Sequence, residues 1–274
     1  MNNMILTVLT VFLLSACATS PTGRSQVMLM SPEQAISESR QAYVSTVSEV
    51  TREHQLITDP VWVNRISTIT GRLVTEAIKM NPSSADWQWS VAIIDDPETL
   101  NAWCMAGGRM AIYSGIVTQL DLTDDEIAQI MGHEISHALA NHTAEKMSRA
   151  ILINTGLSVA SSVTDRNGYV LSGTAVAAQL ALQLPNSRTA ETEADRIGVE
   201  LAARAGYNPD AAATLWGKMA KAGGGQPEFL STHPSPANRM ERLQSLSNEM
   251  RALNPSLQKS SVYPVTMVTN LNQL

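Results

Sequence analysis

Apolar residues along most of this chain recur three or four positions apart, as they do on the buried face of a helix. This spacing predicts helices over residues 31–55, 61–80, 189–205, 208–221 and 235–253, and another that begins near Thr123. Ser31 and Thr123 each stand three residues before a Gln or Glu, which is typical of a capping box. Two more apolar segments, residues 151–163 and 171–184, predict a helical hairpin packed on the domain. The chain is therefore expected to be mainly helical.

The hydrophobic period changes between residues 87 and 113, ahead of the helix that begins near Thr123. Residues 87–93 alternate between apolar and polar side chains, as a half-buried strand does. Residues 101–104 and 109–113 are two shorter extended segments joined through Gly107 and Gly108. We therefore predict an α+β fold with one small sheet. This sheet either simply covers the helix that follows or offers an exposed edge to which an extended peptide adds as a strand.

Composition narrows the classes of protein to which the chain can belong. Its 274 residues suffice for a sizeable core, and we see no internal repeat or second-domain signal. The formal net charge of −6, with no basic cluster, argues against nucleic acid as a partner. Aromatic residues make up only 4%, which favours a helix-rich domain over a sandwich or barrel.

The first residues resemble a bacterial lipoprotein signal. An apolar run over residues 4–14, too short to span a bilayer, leads to small residues and Cys17. We predict a signal peptide over residues 1–16 and lipidation of Cys17, in preference to an uncleaved anchor helix. Ala18 is not an acidic retention signal, so the resemblance to enterobacterial lipoproteins predicts an outer-membrane lipoprotein of the bacterial cell envelope that faces the periplasm.

Three segments are expected to follow the signal peptide. Polar residues with proline and glycine predict a tether over residues 17–30, and a single domain is predicted over residues 31–253. The polar, weakly patterned residues 254–274 are expected to be a loosely attached tail. Cys104 is expected to be a lone, buried thiol, because lipidation of Cys17 would leave it without a disulfide partner.

The candidate chemistry centres on an H-E-x-x-H sequence that runs from His133 to His137. Residues four apart lie one turn apart on the same helix face, so the two histidines can bind one ion. Zinc is the usual ion at such a pair, and Glu134 is placed to act as a general base. The apolar stripe of the helix lies roughly opposite both histidines, which places them on a polar face lining a cleft.

A catalytic zinc needs a third protein ligand in addition to the two histidines. Ala140 and Thr143 stand where metzincins have glycine and histidine, so that class is excluded. His142 lies well round the helix from the two histidines. It is expected to be a helix-end residue or a residue behind the ligands.

Glu191 is the better candidate for the third ligand. It lies at the edge of the buried stripe of its helix, and a carboxylate buried there needs a partner. That partner is either the ion or an arginine such as Arg188 or Arg196. Glu193 points elsewhere and is expected to be solvated.

At these positions the sequence resembles a known family. The H-E-x-x-H motif followed by Glu191-Thr192-Glu193-Ala194-Asp195 is similar to the gluzincin metallopeptidases of the HtpX and CAAX-prenyl endopeptidase family. It is most similar to their soluble lipoprotein or periplasmic branch, of the LoiP and BepA type. The resemblance covers residues 87–246 and includes Asn101-Ala102, Gly107-Gly108-Arg109, Tyr113-Ser114-Gly115, and His233-Pro234 with Arg239. The long transmembrane helices of the membrane-embedded members and the tetratricopeptide-like array of BepA are missing, so neither a prenylated substrate nor docking by such repeats is expected.

The resemblance implies a gluzincin-like protease domain that binds one Zn²⁺ per chain. Its ligands would be His133, His137 and Glu191, and Glu134 would activate the attacking water. His233 matches a family histidine near the metal. It would either stabilise the oxyanion or cap the zinc in a resting state.

The resemblance also implies the surroundings of the metal. Asp195 would hold the first histidine ligand from behind, and Arg239 would stand behind His233. The small sheet would be antiparallel, with an edge strand that flanks the zinc helix. Asn101, Ala102 and Trp103 on that strand would bind an extended substrate.

The implied activity is hydrolysis of peptide bonds in misfolded or unassembled cell-envelope proteins, because an edge strand recognises backbone more than side chains. The alternative, from a different class, is a lipid-anchored periplasmic chaperone or assembly factor whose zinc site is structural or occluded. The intact Glu134 favours the enzyme, since a structural site needs no general base.

Overall fold

The computed structural model describes residues 17–152, 185–222, 228–234 and 238–274. The predicted signal peptide and most of the predicted helical hairpin over residues 151–184 lie outside these ranges. Within the ranges, no helix combines the length and the hydrophobicity that crossing a bilayer requires.

Helices make up most of the described chain, which confirms a mainly helical α+β fold. Ser31 and Thr123 form the two predicted capping boxes, in which each side chain accepts a hydrogen bond from a first-turn backbone N–H. The helices are α1 (Pro32–Arg52), α2 (Pro60–Met80), α3 (Ser114–Gln119), α4 (Asp124–Leu139), α5 (from residue 142 to the end of the described range at 152), α6 (Arg188–Arg204), α7 (Ala211–Lys221), α8 (Glu228–Thr232) and α9 (Arg239–Met250).

The strands form a small hairpin and a mixed sheet. They are β1 (Cys17–Thr19), β2 (Ser25–Val27), β3 (Ser90–Ile94), β4 (Ala102–Met105), β5 (Arg109–Tyr113) and β6 (Thr266–Val268). The sheet has the order β4-β5-β3-β6, so β4 is an edge strand, and it lies against α4 as the resemblance implies.

The prediction that this sheet is antiparallel is wrong for most of its strand pairs. β4 and β5 are antiparallel, whereas β3 runs parallel to both β5 and β6. Gly107 and Gly108, with φ of +84° and +81°, reverse the chain between β4 and β5. β5 then enters between β4 and β3 in the direction of β3, so the strands are not paired in chain order.

α4 is the central helix of the domain and packs against α6, β4 and α2. Its apolar stripe, which includes Ile127, Met131 and Ile135, is fully buried in the main core. The sequence pattern predicts that the opposite face of α4 is polar and open, but in the structure this face is covered. His133 and His137 on that face are 6% and 5% exposed, because α6 and the residues of α8 cover them.

Two glycines allow α4 and α6 to approach closely. A Cβ atom on Gly198 would lie only 2.8 Å from the backbone nitrogen of His133, and one on Gly132 only 3.0 Å from the carbonyl oxygen of Gly198. A larger residue at either position would push the helices apart. The contact fixes Glu191, two turns before Gly198, beside the H-E-x-x-H face of α4.

Residues 17–30 pack on the domain, so the predicted tether is wrong for the part that the structure describes. β1 and β2 pair as an antiparallel hairpin. Between them, Arg24 forms ion pairs with Glu145 of α5 at 2.7 Å and with Glu193 of α6 at 2.8 Å. Gln26 donates a hydrogen bond to the carbonyl of Ala140 at 2.7 Å. The polar side chains that suggest a free tether in the sequence make these contacts with the domain.

Residues 254–274 also pack on the domain, so the predicted loose attachment is wrong. β6 pairs with β3, and the backbone N–H of Tyr263 donates to the carbonyl of Gly71 at 3.0 Å. Val268 is buried in a second cluster of the core. Backbone hydrogen bonds hold much of this segment on the domain, and the pattern of apolar and polar side chains in the sequence cannot reveal such bonds. Cys104 is a buried free thiol, as predicted.

Candidate active site

Three side chains that the sequence analysis assigns to a metal lie together between α4 and α6. The Nε2 atoms of His133 and His137 are 3.1 Å apart. Glu191 turns one carboxylate oxygen towards each imidazole: Oε2 lies 3.3 Å from His133 Nε2, and Oε1 lies 3.4 Å from His137 Nε2. All three are buried, and Glu191 is 0% exposed. The predicted ligand set therefore converges on one point.

His233 brings a fourth nitrogen to this point. It follows α8, where its backbone N–H donates to the carbonyl of Phe229 at 3.0 Å and its ring stacks on the Phe229 ring. His233 Nδ1 lies 3.2 Å from His133 Nε2 and 3.0 Å from Glu191 Oε1. One donor atom from each of the four residues lies within 4.8 Å of all the others.

These atoms are close enough together to surround one ion. Ligands bound at about 2.0–2.1 Å to a tetrahedral zinc stand about 3.3 Å apart. The short contacts given above, which use both oxygens of Glu191, range from 3.0 to 3.4 Å, and one donor atom from each of the four residues lies within 4.8 Å of the others. Among the described residues, Oε2 of Glu191 accepts no hydrogen bond and has ion-pair contacts at 3.3 Å with His133 Nε2 and at 3.4 Å with Arg239 Nη1, which leaves this buried oxygen able to bind a cation. His133, His137 and Glu191 would hold the ion, and His233 as placed would complete a closed set of four donors.

The charges of the cluster suit a divalent cation. Burial opposes ionisation of Glu191, yet the imidazoles of His233, His133 and His137 hold the pKa of this carboxyl well below its usual range. Burial likewise lowers the pKa of His133, but hydrogen bonds to Asp195 and Glu191 outweigh it and raise that pKa to about 9. For His137 burial dominates, and its pKa lies well below the usual value. An anion held between imidazoles attracts a cation.

Glu134 lies beside the four donors without being one of them. Its side chain is buried, and its Oε1 accepts no hydrogen bond from a described residue but lies 3.4 Å from His233 Nε2. Burial raises the pKa of Glu134, and the charges of His233 and His133 and a hydrogen bond from the Cys104 backbone partly offset that rise. A carboxyl group with a raised pKa can both accept a proton and return it.

Asp195 and Arg239 lie behind the ligands. Asp195 Oδ1 is 3.3 Å from His133 Nδ1 and accepts hydrogen bonds from Arg239 Nη2 at 2.6 Å and Nε at 3.1 Å. Arg239 also places Nη1 3.4 Å from Glu191 Oε2, and its guanidinium covers the ring of Trp216. Arg239 therefore contacts Asp195 and Glu191, whereas the resemblance implied a position behind His233.

The family resemblance predicts that substrate binds along the strand at the edge of the sheet. Asn101 precedes β4, and its Oδ1 accepts a hydrogen bond from the backbone N–H of Ala102 at 2.8 Å. Ala102 and Cys104 belong to the core beside α4, whereas Trp103 belongs to the second core cluster, where its ring meets that of Tyr43 edge-on. The buried Trp103 ring thus supports the sheet, and what β4 can present to a peptide is its backbone.

Two buried residues extend the site in ways that the sequence indicated only in part. His142 Nδ1 is 2.8 Å from His137 Nδ1, so His142 lies behind His137, on the side away from Glu191. Glu193, predicted to be solvated, is buried and lies 3.0 Å from His142 Nε2. That prediction is wrong because the groups around Glu193 include residues of the N-terminal segment, which the composition assigned to a tether. Arg196, considered as a partner of Glu191, pairs with Glu249 instead.

Comparison with known proteins finds several relatives of this chain. The chain is similar to the mitochondrial metalloendopeptidase OMA1 of Bos taurus, with 31% identity over 86% of this chain and 47% of the relative. It is similar to the OMA1 of Saccharomyces cerevisiae, with 35% identity over 57% of this chain and 46% of the relative. It is also similar to the beta-barrel assembly-enhancing protease of Yersinia pestis, with 29% identity over 72% of this chain and 41% of the relative. The chain spans about half the length of these curated relatives.

The sequence profile of one peptidase family matches most of the chain. The match covers residues 63–247, a range that contains the three predicted metal ligands, Glu134 and His233. It also contains the sheet edge and the helix pair that position them. On this match, the chain belongs to peptidase family M48.

Proposed function

We propose that this chain is a zinc-dependent endopeptidase. The observation that carries the proposal is the position of Glu134, a buried carboxyl with a raised pKa beside the donors of His133, His137 and Glu191. A structural zinc site needs the ligands but has no use for such a group. Similarity to proteins named metalloendopeptidases supports the same activity.

The residues of the site divide the chemistry among them. His133, His137 and Glu191 would hold one Zn²⁺, which when bound supplies Lewis-acid activation of water and of the scissile carbonyl. Glu134 accepts a proton from the attacking water and then delivers it to the leaving amine. Asp195, 3.3 Å from His133 Nδ1, fixes the tautomer in which His133 turns Nε2 towards Glu191.

His233 has two roles that its geometry supports. With Nδ1 3.2 Å from His133 Nε2 and 3.0 Å from Glu191 Oε1, its ring would close the metal site to water and substrate, as in a capped resting state. With Nε2 3.4 Å from Glu134, it also lies where a slightly displaced imidazole can donate a hydrogen bond to the oxyanion. These two roles are alternatives, and we propose the first, in which His233 caps the site at rest.

The closed set of four donors also supports a second function, from a different class. In this alternative the chain is a lipid-anchored periplasmic chaperone or assembly factor, and its zinc is structural or permanently occluded. His233 then stays among the donors, and Glu134 has no role.

We also propose that the substrates are misfolded or unassembled proteins of the cell envelope. The edge strand β4 lies beside α4, and its side chains belong to the two core clusters. Recognition through β4 therefore uses backbone hydrogen bonds, which only an extended segment can make. N-methylation of alternate peptide bonds in a cleaved peptide should block cleavage in one register and spare it in the other. Equal cleavage in both registers would contradict strand addition.

The proposed location is the outer membrane of a bacterium, with the protein facing the periplasm, in the soluble LoiP and BepA-like branch of the family. The apolar run before Cys17 and the similarity to a bacterial beta-barrel assembly-enhancing protease support this proposal. Residues 1–16 would be removed as a signal peptide. Labelling of expressing cells with radioactive palmitate should mark the wild type and not Cys17→Ala, and equal labelling of both would refute lipidation of Cys17.

A chelator-controlled assay on the full chain tests the enzymatic function. We expect the chain to bind one zinc, to cleave casein, to lose cleavage after treatment with phenanthroline and to regain it when zinc is restored. Zinc binding without cleavage of casein or of an unfolded outer-membrane protein, in the wild type and in His233→Ala alike, would support the chaperone instead.

A further inference from the structure

A hydrogen-bond network of buried polar groups lies behind His137, and the proposed peptidase mechanism does not use it. His137 Nδ1 is 2.8 Å from His142 Nδ1, and His142 Nε2 is 3.0 Å from Glu193 Oε2. His142 and Glu193 are 2% and 4% exposed. This hydrogen-bond network leads away from His137 Nε2, towards the surface where the N-terminal hairpin packs.

The N-terminal hairpin binds Glu193, the residue of this hydrogen-bond network that lies farthest from His137. The hydroxyls of Ser20 and Thr22 both donate hydrogen bonds to Glu193 Oε1, that of Thr22 at 2.5 Å, and Arg24 Nε donates to Glu193 Oε2 at 2.8 Å. The two terminal nitrogens of Arg24 donate to the carboxylate of Glu145 on α5 at 2.9 and 2.7 Å. Glu193 thus receives hydrogen bonds from both sides, and its carboxylate is held in one orientation.

These contacts indicate which ring nitrogen carries the hydrogen in each histidine of the hydrogen-bond network. His137 turns Nε2 towards Glu191, so in the metal-binding form its ring hydrogen lies on Nδ1 and is donated to His142 Nδ1. His142 must then accept at Nδ1 and carry its own hydrogen on Nε2, which it donates to Glu193. The carboxylate of Glu193 therefore fixes the tautomer of His142, and His142 fixes that of His137.

A carboxylate thus orients each of the two predicted histidine ligands, directly for one and through another side chain for the other. Asp195 meets the ring of His133 directly, whereas the carboxylate that serves His137 is one side chain further away, with His142 between them. Groups that orient a ligand in this way strengthen metal binding, because the ligand no longer has to be ordered when the ion arrives.

We propose that His142 and Glu193 are positioning residues for His137, and that Ser20, Thr22 and Arg24 complete this support from the N-terminal hairpin. The inference rests on the zinc site of the proposed function, but it concerns affinity for the ion and not the peptidase reaction. It also gives residues 20–24 a part in the metal site, although they lie far from it along the sequence.

A matched pair of variants at position 142 tests the hydrogen bond to His137. Asn and Leu have nearly the same shape, but Asn can place an acceptor near the position of Nδ1 and Leu cannot. We expect His142→Leu to weaken zinc binding by about 10- to 100-fold and His142→Asn to recover part of that loss. The dissociation constant of zinc is measured on the full chain by competition with a chromophoric chelator, and circular dichroism confirms folding.

A second matched pair separates positioning from general stability. Glu193→Gln removes the charge that orients His142, whereas Glu145→Gln removes a neighbouring buried carboxylate that pairs with Arg24. We expect both variants to melt at a lower temperature than the wild type, but only Glu193→Gln to weaken zinc binding by about tenfold or more. This pair decides the question if the variants at position 142 do not fold.

The outcomes separate this inference from the proposed function. Equal zinc affinity of His142→Asn and His142→Leu, or equal losses in Glu193→Gln and Glu145→Gln, would overturn the positioning role while leaving the peptidase proposal intact. The expected order of zinc affinities in a chain that cleaves no protein would support the positioning role and count against the peptidase. A wild-type chain that binds no zinc would overturn both.

Discussion

His233 Nε2 lies 3.4 Å from Glu134 Oε1, so the residue that closes the metal site also contacts the proposed general base. The other ring nitrogen of His233 lies 3.0 Å from Glu191 Oε1. One imidazole therefore bridges a proposed ligand and the group that would activate water. In the proposed mechanism, a peptide would displace this ring before either group takes part in hydrolysis, which would give the enzyme a step that precedes the chemistry.

Glu134→Gln should remove hydrolysis and keep zinc. Gln preserves the shape of the side chain but cannot accept the proton, so we expect the rate of casein cleavage to fall on the order of 10²–10⁴-fold, with one zinc still bound per chain. Glu249→Gln, which alters an exposed carboxylate paired with Arg196, is the matched control and should cleave normally. Wild-type cleavage by Glu134→Gln would remove Glu134 from the mechanism.

Zinc should stabilise the wild type and not Glu191→Gln. The donor atoms of His133, His137 and Glu191 are assembled in the folded chain and dispersed in the unfolded one, so zinc at about 1,000 times its dissociation constant should add about 4 kcal/mol to the free energy of unfolding. Removing the buried charge of Glu191 should abolish most of that gain. Thermal unfolding with and without zinc measures both, and equal gains in the two proteins would contradict the ligand assignment.

His233→Ala should open the site. We expect casein cleavage at saturating zinc to rise, because a resting cap is removed, and zinc affinity to fall, because a fourth donor is lost. Steady-state kinetics and chelator competition measure the two effects. A fall in kcat on the order of 10²–10³-fold, with zinc still bound, is the opposite result and would make oxyanion stabilisation the main role of His233.

His133 should titrate at high pH in the metal-free protein. Its pKa of about 9 in the folded chain exceeds the value of about 6.5 for an unfolded histidine. The stability that this proton contributes is complete below pH 6.5 and is lost as the pH rises to about 9. NMR titration of the histidine rings should show a midpoint near 9 that is missing in His133→Gln and lowered in Asp195→Asn. A His133 midpoint near 6.5 in the wild type would refute this.

Features that depend on neighbouring residues could be predicted from the sequence. The capping box at Thr123 and the H-E-x-x-H spacing both lie within α4, and both are present as predicted. The sequence also indicates that Glu191 has a partner, because a carboxylate at the edge of a buried stripe needs one, and in the structure it is 0% exposed among His133, His137, His233 and Arg239. For His233 only the family resemblance supplied a signal, since nothing near it in the sequence indicates that its ring turns to the metal.

Features that depend on backbone pairing between distant segments could not be predicted. β6 adds in parallel to β3 across more than 170 residues, and no local hydrophobic pattern encodes such a choice of partner. The burial of Glu193 is equally non-local, because the side chain that pairs with it is Arg24, 169 residues away. In both cases the polar groups of a segment that looks free in the sequence contact the domain.

The contact between Ser20 and Glu193 limits where the proposed enzyme could work. Ser20 is three positions after Cys17, and an extended chain of that length spans at most about 11 Å. If Cys17 carries the acyl chains, the peptidase cannot swing outward on a long arm to survey the periplasmic volume. It would instead act in a thin layer at the membrane surface, on polypeptides that stall while they enter or assemble in the bilayer.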